Sequence, residues 1–280
     1  AENYFYDAAG NLIKIIDSEG NVTATEYNSM GKVSSATDEK GRKTAYDYDD
    51  FGNLVKITYP DNTTEAFTYD REGNNLSATD RMGRTVTMKY DKVGNLISKT
   101  YPNGASVTYT YDANYNLVSE TSASGGVTYY EYDKIGRNTA ITDALGSRTT
   151  FFYNARSQLE SMTDPMGRTY TYSYDDNGNR IKTTYPDGTS VSSVYDARGR
   201  VTRQSDQHGY NTYYVYDGAD RLIRVTNAQG ISTSYTYDEV GNMTSVTDGN
   251  GNVTAYAYDD FGRVVKTTNA LGNSAYTTYD

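Results

Sequence analysis

Residues 237–258 have the sequence Tyr-Asp-Glu-Val-Gly-Asn-Met-Thr-Ser-Val-Thr-Asp-Gly-Asn-Gly-Asn-Val-Thr-Ala-Tyr-Ala-Tyr, and this stretch decides the fold. Its second half alternates with a period of two, which places Thr254, Tyr256 and Tyr258 on one face of a strand. Both Asp-x-x-Gly segments predict tight turns, because Asp caps a type I turn and Gly tolerates the backbone conformation at the exit. The stretch therefore predicts two short strands, each followed by a tight turn.

The same pattern runs along the whole chain with a period of 21 residues and no insertion or deletion. Fourteen tyrosines keep this spacing, and we interpret them as structural anchors of the repeat. They are Tyr6, Tyr27, Tyr48, Tyr69, Tyr90, Tyr111, Tyr132, Tyr153, Tyr174, Tyr195, Tyr216, Tyr237, Tyr258 and Tyr279. The turn that directly follows each anchor is the first turn of the repeat, and the turn about ten residues later is the second.

Glycine occupies the same place in nearly every turn. Four residues after the anchor, only Tyr115, Ser157 and Asp220 replace it, and fourteen residues after the anchor only Asn62 does. We interpret the second-turn glycines as turn residues of the repeat. They are Gly20, Gly41, Gly83, Gly104, Gly125, Gly146, Gly167, Gly188, Gly209, Gly230, Gly251 and Gly272.

The regular spacing of the turn residues determines the fold class. Gly or Pro recurs about every ten residues, which leaves no room for a helix. Short strands joined by tight turns pair antiparallel, so the sequence predicts an all-β fold of 21-residue β-hairpin repeats in a continuous spiralling sheet, either a shell or a tubular solenoid-like fibre. We expect residues 1–280 to be one uninterrupted array of about thirteen repeats and about 26 strands, without capping units and part of a longer chain or assembly.

Composition excludes several classes of function. Lys and Arg number 26 against 36 Asp and Glu, which gives a net charge of −10 and argues against a nucleic-acid partner. The absence of cysteine excludes disulfide scaffolds, thiol catalysis and thiolate zinc sites. No apolar run approaches the roughly 18 residues of a transmembrane helix. With 31 tyrosines among 280 residues, the chain is too aromatic for a disordered protein.

The single histidine is the first candidate for catalysis. His208 lies near Asp206 and Ser205, which supplies the residue types of a catalytic triad. A triad needs partners in a defined pocket, whereas His208 occupies a variable turn position. We therefore interpret it as a solvated turn residue and predict no catalytic site.

Aspartate-rich turns are candidates for calcium, because hard oxygen ligands at alternate positions suit that ion. Turn capping already explains these carboxylates, and neither an EF-hand nor a Gly-Gly-x-Gly-x-Asp repeat is present. We expect no cofactor and no metal site, with calcium as the alternative. The candidate ligands are Asp248, Asn250 and Asn252, and Asp175, Asp176 and Asn179.

The repeat unit Tyr-x-Tyr-Asp-x-x-Gly-Asn-Leu followed by Thr-Asp-x-x-Gly-x-x-Thr resembles the YD repeat, also called the Rhs repeat. This family includes bacterial Rhs polymorphic toxins, the C components of insecticidal toxin complexes, and teneurins. The resemblance implies a secreted or cell-surface protein whose repeats wind into a hollow β-shell. In the toxins, the shell encloses a C-terminal effector that is released by self-cleavage.

The segment Asp164-Pro165-Met166-Gly167 is similar to the Asp-Pro-x-Gly of the Rhs cleavage region. It lies on the ordinary turn positions of the array, so we interpret it as a proline-containing turn.

We therefore predict a non-enzymatic extracellular β-scaffold. It would act as the wall of a toxin-encapsulating shell or as the shaft of a self-assembling surface filament. The alternative is a carbohydrate-binding adhesin that uses exposed rows of tyrosine. The expected partners are further YD repeats of the same chain or copies joined end to end, together with an encapsulated effector or surface glycans.

Overall fold

The computed structural model describes residues 2–279, and every regular element in this range is a β-strand. Most odd-numbered strands have six residues and end at an anchor tyrosine, whereas the even-numbered strands have five residues. No helix with the length and apolarity of a membrane span occurs within residues 2–279. The strands are β1 (Asn3–Tyr6), β2 (Leu12–Ile16), β3 (Val22–Tyr27), β4 (Val33–Thr37), β5 (Lys43–Tyr48), β6 (Leu54–Thr58), β7 (Thr64–Tyr69), β8 (Asn75–Thr79), β9 (Thr85–Tyr90), β10 (Leu96–Thr100), β11 (Ser106–Tyr111), β12 (Leu117–Thr121), β13 (Val127–Tyr132), β14 (Asn138–Thr142), β15 (Arg148–Tyr153), β16 (Leu159–Thr163), β17 (Thr169–Tyr174), β18 (Arg180–Thr184), β19 (Ser190–Tyr195), β20 (Val201–Ser205), β21 (Asn211–Tyr216), β22 (Leu222–Thr226), β23 (Ser232–Tyr237), β24 (Met243–Thr247), β25 (Val253–Tyr258), β26 (Val264–Thr268) and β27 (Ser274–Tyr276).

The chain forms two compact units, the first ending at Arg148 and the second beginning at Thr149. In the first unit, the strands from β1 to β14 pair antiparallel with their neighbours in sequence. The strands from β15 to β27 do the same in the second unit. The predicted fold class, all-β with antiparallel hairpin repeats, is confirmed.

Each first-turn hairpin contains a β-bulge at its anchor tyrosine. In the pair β11–β12, Thr110 lies opposite Ser119 but Tyr111 lies opposite Leu117, so the intervening Val118 has no partner in the register. A bulge of this kind increases the local twist of the strand pair. The second-turn hairpins keep an unbroken register, as in β10–β11, where Thr100 lies opposite Ser106.

The two faces of the sheet differ in burial within each unit. In β17, the three tyrosines that end at the anchor Tyr174 are half-buried, whereas Thr169, Thr171 and Ser173 are exposed. We call the side that carries the anchors the tyrosine face and the other side the polar face. The tyrosine face holds the aromatic and aliphatic side chains that a sheet of such short strands uses for packing.

Burial is shallow throughout the described chain. Among residues 2–279, only Val107, Ala140 and Ser35 are less than a tenth exposed. Neither unit therefore relies on an enclosed hydrophobic core of the usual kind. Hydrogen bonds in the turns and side-chain contacts along the tyrosine face supply much of the order.

Candidate functional site

The repeated turn is the most regular polar structure in the chain. In the turn at Asp112, the backbone N–H of Tyr115 donates to the carbonyl of Asp112 at 3.1 Å, and the Asp112 N–H donates to the carbonyl of Asn116 at 3.0 Å. The Asp112 carboxylate adds three bonds. Its Oδ1 accepts the N–H groups of Asn114 and Asn116 at 2.8 and 2.9 Å, and its Oδ2 accepts Asn116 Nδ2 at 2.9 Å.

These bonds set the electrostatics of the turn. The side-chain bond from Asn116, followed by its backbone N–H, lowers the pKa of Asp112 below its ordinary value. At Asp196 the partner is arginine, and the hydrogen bond from the Arg200 guanidinium lowers the pKa of that carboxyl. A carboxylate that accepts several N–H bonds is stabilised in its charged form. These aspartates are therefore structural acceptors.

The residue four positions after the turn aspartate was not recognised from the sequence as its side-chain partner. Arg200 Nε donates to Asp196 Oδ2 at 2.7 Å, and its guanidinium lies 4.7 Å from the ring centroid of Tyr216, the next anchor. Arg221 repeats this arrangement with Asp217 and Tyr237. The signal was present in the sequence, since Asn, Arg, Gln or Lys recurs at this position.

The hydroxyl groups of the anchor tyrosines form hydrogen bonds with backbone carbonyls of earlier strands. Tyr111 Oη donates to the carbonyl of Leu96, fifteen residues earlier, at 2.9 Å. Tyr27, Tyr48, Tyr174, Tyr195, Tyr216, Tyr237, Tyr258 and Tyr279 make the equivalent bond at 2.8–3.2 Å. Burial, followed by the nearby Asp91 charge, raises the pKa of Tyr111, so its hydroxyl stays protonated as a donor.

The turn glycines adopt the left-handed conformation. The twelve second-turn glycines have φ between 75° and 88°. The four residues that replace glycine in the two columns follow the same path: Asn62, Tyr115, Ser157 and Asp220 have φ of 62° to 67°. The turn geometry therefore persists where glycine is absent, including at Tyr115 and Ser157, whose residue types favour it less than Asn or Asp.

The polar face carries ion pairs that connect neighbouring hairpins. Glu26 Oε2 accepts Ser35 Oγ at 2.7 Å and Lys43 Nζ at 2.8 Å. The hydrogen bond from Lys43, followed by that from Ser35, lowers the pKa of Glu26. Arg148 pairs with Glu131 in the same way, seventeen residues apart. Both pairs are exposed to solvent and contribute little individually.

The candidate catalytic residues take part in the hydrogen bonds of one turn and its flanking strand. His208 lies in a turn in which its N–H donates to Asp206 Oδ1 at 2.9 Å, and its ring lies 6.2 Å from that of Tyr210. Ser205 Oγ donates to Asn211 Oδ1 at 2.5 Å. The Asp206 carboxylate therefore accepts the backbone N–H of His208, and the Ser205 hydroxyl is directed to Asn211.

The Asp164-Pro165 segment is an ordinary second turn. The Gly167 N–H donates to the carbonyl of Asp164 at 2.9 Å, and Arg168 Nε donates to Asp164 Oδ2 at 2.7 Å. Burial alone would raise the pKa of Asp164, but the backbone N–H and guanidinium of Arg168 lower it overall.

The carboxylates among the candidate calcium ligands accept hydrogen bonds in the same manner. Asp248 accepts the N–H groups of Asn250 and Asn252 and the Nδ2 of Asn252, all at 2.8–2.9 Å. Asp175 likewise accepts both nitrogens of Asn179, whereas the Asp176 carboxylate accepts Arg156 Nη2 at 3.3 Å. Within residues 2–279, no group of three or more His, Cys, Asp or Glu side chains could hold a metal ion.

Comparison with protein families identifies the repeat. The sequence matches the family described as RHS Repeat over residues 6–43, 31–64, 90–127, 132–165, 153–190, 195–230, 216–253 and 237–274. The chain belongs to the RHS repeat family. The resemblance predicted from the sequence is therefore confirmed, and these RHS repeats form a structural scaffold.

Solved structures with the same fold are crystal structures of TcdB2-TccC3-Cdc42, with a TM-score of 0.58, and of TcdB2-TccC3 without the hypervariable C-terminal region, with a TM-score of 0.61. Both are 17% identical to this chain and cover 96% of it. The RHS repeats here span 19% of the length of each matched chain. A comparison with curated proteins gives no match.

Proposed function

We propose that this chain is a non-enzymatic extracellular scaffold whose RHS repeats form part of the wall of a hollow shell around an effector polypeptide. The observation that carries the proposal is the unbroken pairing of strands within each unit, in which turns and anchors satisfy the polar groups at both strand ends. A wall requires such continuous pairing, because an unpaired backbone polar group that is removed from water is costly.

Two further observations support a wall. The chain belongs to a family of structural repeats, and its fold is shared with TcdB2-TccC3 structures. It spans about a fifth of the chains it matches, which suits one portion of a larger enclosure.

A filament shaft is the second arrangement, and the strict 21-residue period favours it because identical repeats stack without limit.

The structure gives less support to an adhesin that uses the anchor rows. Tyr27, Tyr111 and Tyr237 are half-buried, and their hydroxyl groups already donate to backbone carbonyls. A sugar-binding platform needs free aromatic faces and hydroxyls, so we do not propose glycan binding by these rows.

Negative-stain imaging of the natural polypeptide that contains this chain tests the proposal. Closed hollow particles support the wall, and long uniform filaments replace it by the shaft. Particles with neither form would overturn the scaffold. The non-enzymatic assignment is tested separately with Asp164→Ala and His208→Ala, which should leave the banding pattern of the purified chain unchanged during incubation. Loss of a self-cleaving or hydrolytic activity in either variant would show that the assignment is wrong.

A further inference from the structure

Large apolar side chains lie at the tips of the first turns in the first unit. Phe51, Val93 and Ile135 are 78%, 60% and 70% exposed. Each lies two residues after the turn aspartate, and these three are 42 residues apart, with Met30 as a further apolar tip 21 residues before Phe51. The intervening tips are polar, Glu72 and Asn114. We call this side of the sheet the first-turn edge. The backbone N–H groups of its apolar tips donate to the turn aspartates, whereas their side chains take no part in the turn hydrogen bonds.

Two grooves lie on the tyrosine face of the same unit, near the side of the sheet that carries the second turns. We call this side the second-turn edge. The Tyr59 groove has a volume of about 540 Å³ and lies between Ala36, Tyr59 and Pro60. The Tyr101 groove has a volume of about 640 Å³ and lies between Ala78, Tyr101 and Pro102. In each groove, a Tyr-Pro pair replaces the first two residues of the usual Asp-x-x-Gly turn. Tyr59 and Tyr101 are again 42 residues apart.

A third Tyr-Pro turn, in the second unit, has larger side chains at the positions equivalent to the groove floor. Met162 stands where the Tyr101 groove has Ala78, and Tyr170 stands where it has Val86. The ring of Tyr170 packs edge-on against Tyr185, with 6.1 Å between ring centroids. The two grooves in the first unit instead have the small residues Ala36 and Ala78 at the position of Met162.

We propose that the first-turn edge of one copy docks on the second-turn edge of a second copy, with Phe51 entering the Tyr59 groove and Val93 entering the Tyr101 groove. This inference rests on the scaffold function proposed above. Tips and grooves share one repeat distance, since 42 residues correspond to four strands, or about 19 Å along the sheet. Because both tips and both grooves are related by the same two-repeat step along the twisted sheet, one rigid-body placement of the second copy brings both tips to both grooves.

The charges next to the tips suit this register. Lys92 precedes Val93, and the Tyr101 groove contains two carboxylates, Glu65 and Asp80, against the single guanidinium of Arg84. Asp50 precedes Phe51, and the Tyr59 groove contains Arg42 and Arg81 beside two aspartates. In this register Lys92 lies beside the excess carboxylate of the Tyr101 groove, which is a favourable charge contact between the copies.

The groove chemistry favours an apolar tip over a sugar. Arg84 Nε already donates to Asp80 Oδ2 at 2.7 Å, and Arg42 Nη2 lies 2.6 Å from Asp38 Oδ2. Arg81 lies 4.2 Å from the ring centroid of Tyr59 and pairs with Asp61. The polar groups at the rim are thus paired with each other, which leaves the small floor residues and the ring edges for contact. The two edges differ, so docking is heterologous and can continue from copy to copy.

Directional cross-linking tests the docking in a chain that has no cysteine of its own. We would prepare Val93→Cys and Asn103→Cys as separate variants of the whole chain, mix them and oxidise. The two edges of one chain are separated by a strand of about 17–20 Å, whereas a disulfide needs Cα atoms within about 7 Å, so any disulfide joins two chains. We expect disulfide dimers in the mixture at several-fold higher yield than in either variant alone. Equal yields in all three samples would overturn the proposal.

Sedimentation velocity gives an independent readout. Val93→Asp alters an exposed tip, and Asn114→Asp is the matched control on the same edge. We expect Val93→Asp to raise the concentration needed for association at least about tenfold, as the loss of an interface hot spot does, and the control to leave it unchanged. The double variant Ala78→Met and Val86→Tyr, which we call the closed-groove variant because it places larger side chains in the Tyr101 groove, should act like Val93→Asp.

Failure of the docking can be distinguished from failure of the scaffold. Hollow particles or filaments in negative stain, combined with equal cross-linking yields, would retain the scaffold and reject edge docking. If oligosaccharides bind wild type and the closed-groove variant loses that binding, the grooves are glycan sites and docking is wrong. If an unrelated polypeptide protects Cys introduced by Asn103→Cys while the chain itself stays monomeric, docking between copies is also wrong.

Discussion

Replacing Tyr115 by glycine should stabilise the protein by roughly 0.5–1 kcal/mol. Tyr115 has φ of 66°, in a column where most repeats carry glycine. A left-handed conformation costs an L-residue roughly 1–2 kcal/mol, and Tyr→Gly relieves that cost. The added freedom of glycine in the unfolded chain offsets roughly 0.5–1 kcal/mol of the gain. Tyr115 is 60% exposed, so the loss of packing is small.

The reverse substitution in the same column is the matched control. Gly31 has φ of 72°, and a Cβ added there would meet no atom within 4 Å. Gly31→Ala therefore introduces backbone strain without a clash, and we expect a loss of roughly 0.5–1 kcal/mol. Asn62→Gly should stabilise less than Tyr115→Gly, because asparagine tolerates the left-handed region better than tyrosine.

Urea unfolding, followed by circular dichroism, measures these changes. The midpoints should move in opposite directions for Tyr115→Gly and Gly31→Ala, with an unchanged dependence on urea concentration. If Tyr115→Gly lowered the midpoint, or if Gly31→Ala left it in place, backbone strain would not explain the glycine columns.

Three more predictions concern the hydrogen bonds of the repeat. Tyr111→Phe removes the bond to the Leu96 carbonyl and should cost about 0.5–1.5 kcal/mol in urea unfolding, with the exposed Tyr129→Phe as a neutral control. Asn75→Leu should stabilise by about 1 kcal/mol, since Asn75 Oδ1 is buried without a partner where most repeats have an apolar residue. The turn aspartates, such as Asp112, have folded pKa values below the ordinary 3.8. Their stabilisation is therefore complete above that value and lost as pH falls through the folded pKa, so thermal unfolding should occur at lower temperature at pH 3 than at pH 7. A melting temperature that stays constant over this range would contradict the role of the carboxylates.

The sequence predicts the periodic part of this structure well, because glycine and the anchors recur at fixed spacing. Asp-x-x-Gly is sufficient to place a type I turn, and the alternation in residues 252–258 is sufficient to place Tyr256 and Tyr258 on one face. Both conclusions depend only on neighbours within a few residues. They therefore needed no knowledge of how strands from different repeats meet.

Other features depend on contacts that a period does not specify. The acceptor of Tyr111 is the backbone carbonyl of Leu96, and a carbonyl has no residue type to recur. The bulge beside Tyr111 shifts the register by one residue, so Leu117 and Glu120, which lie opposite Tyr111 and Tyr109, share the tyrosine face at an odd spacing. That break in alternation was the available signal. The side-chain partner of the turn aspartate was equally visible as a recurring polar residue.

The thin burial of this sheet explains why hydrogen bonds are so uniform along it. In a protein with a closed core, apolar burial shared by the whole domain is the main favourable contribution to the free energy of folding. Here a repeat touches only its neighbours, so its stability is the sum of its own turns and two interfaces. A defect in one turn is not absorbed by a core elsewhere. The left-handed conformation of Tyr115 therefore costs free energy that the neighbouring turns must offset. For this reason, the effect of a substitution at that residue on the free energy of unfolding should be measurable.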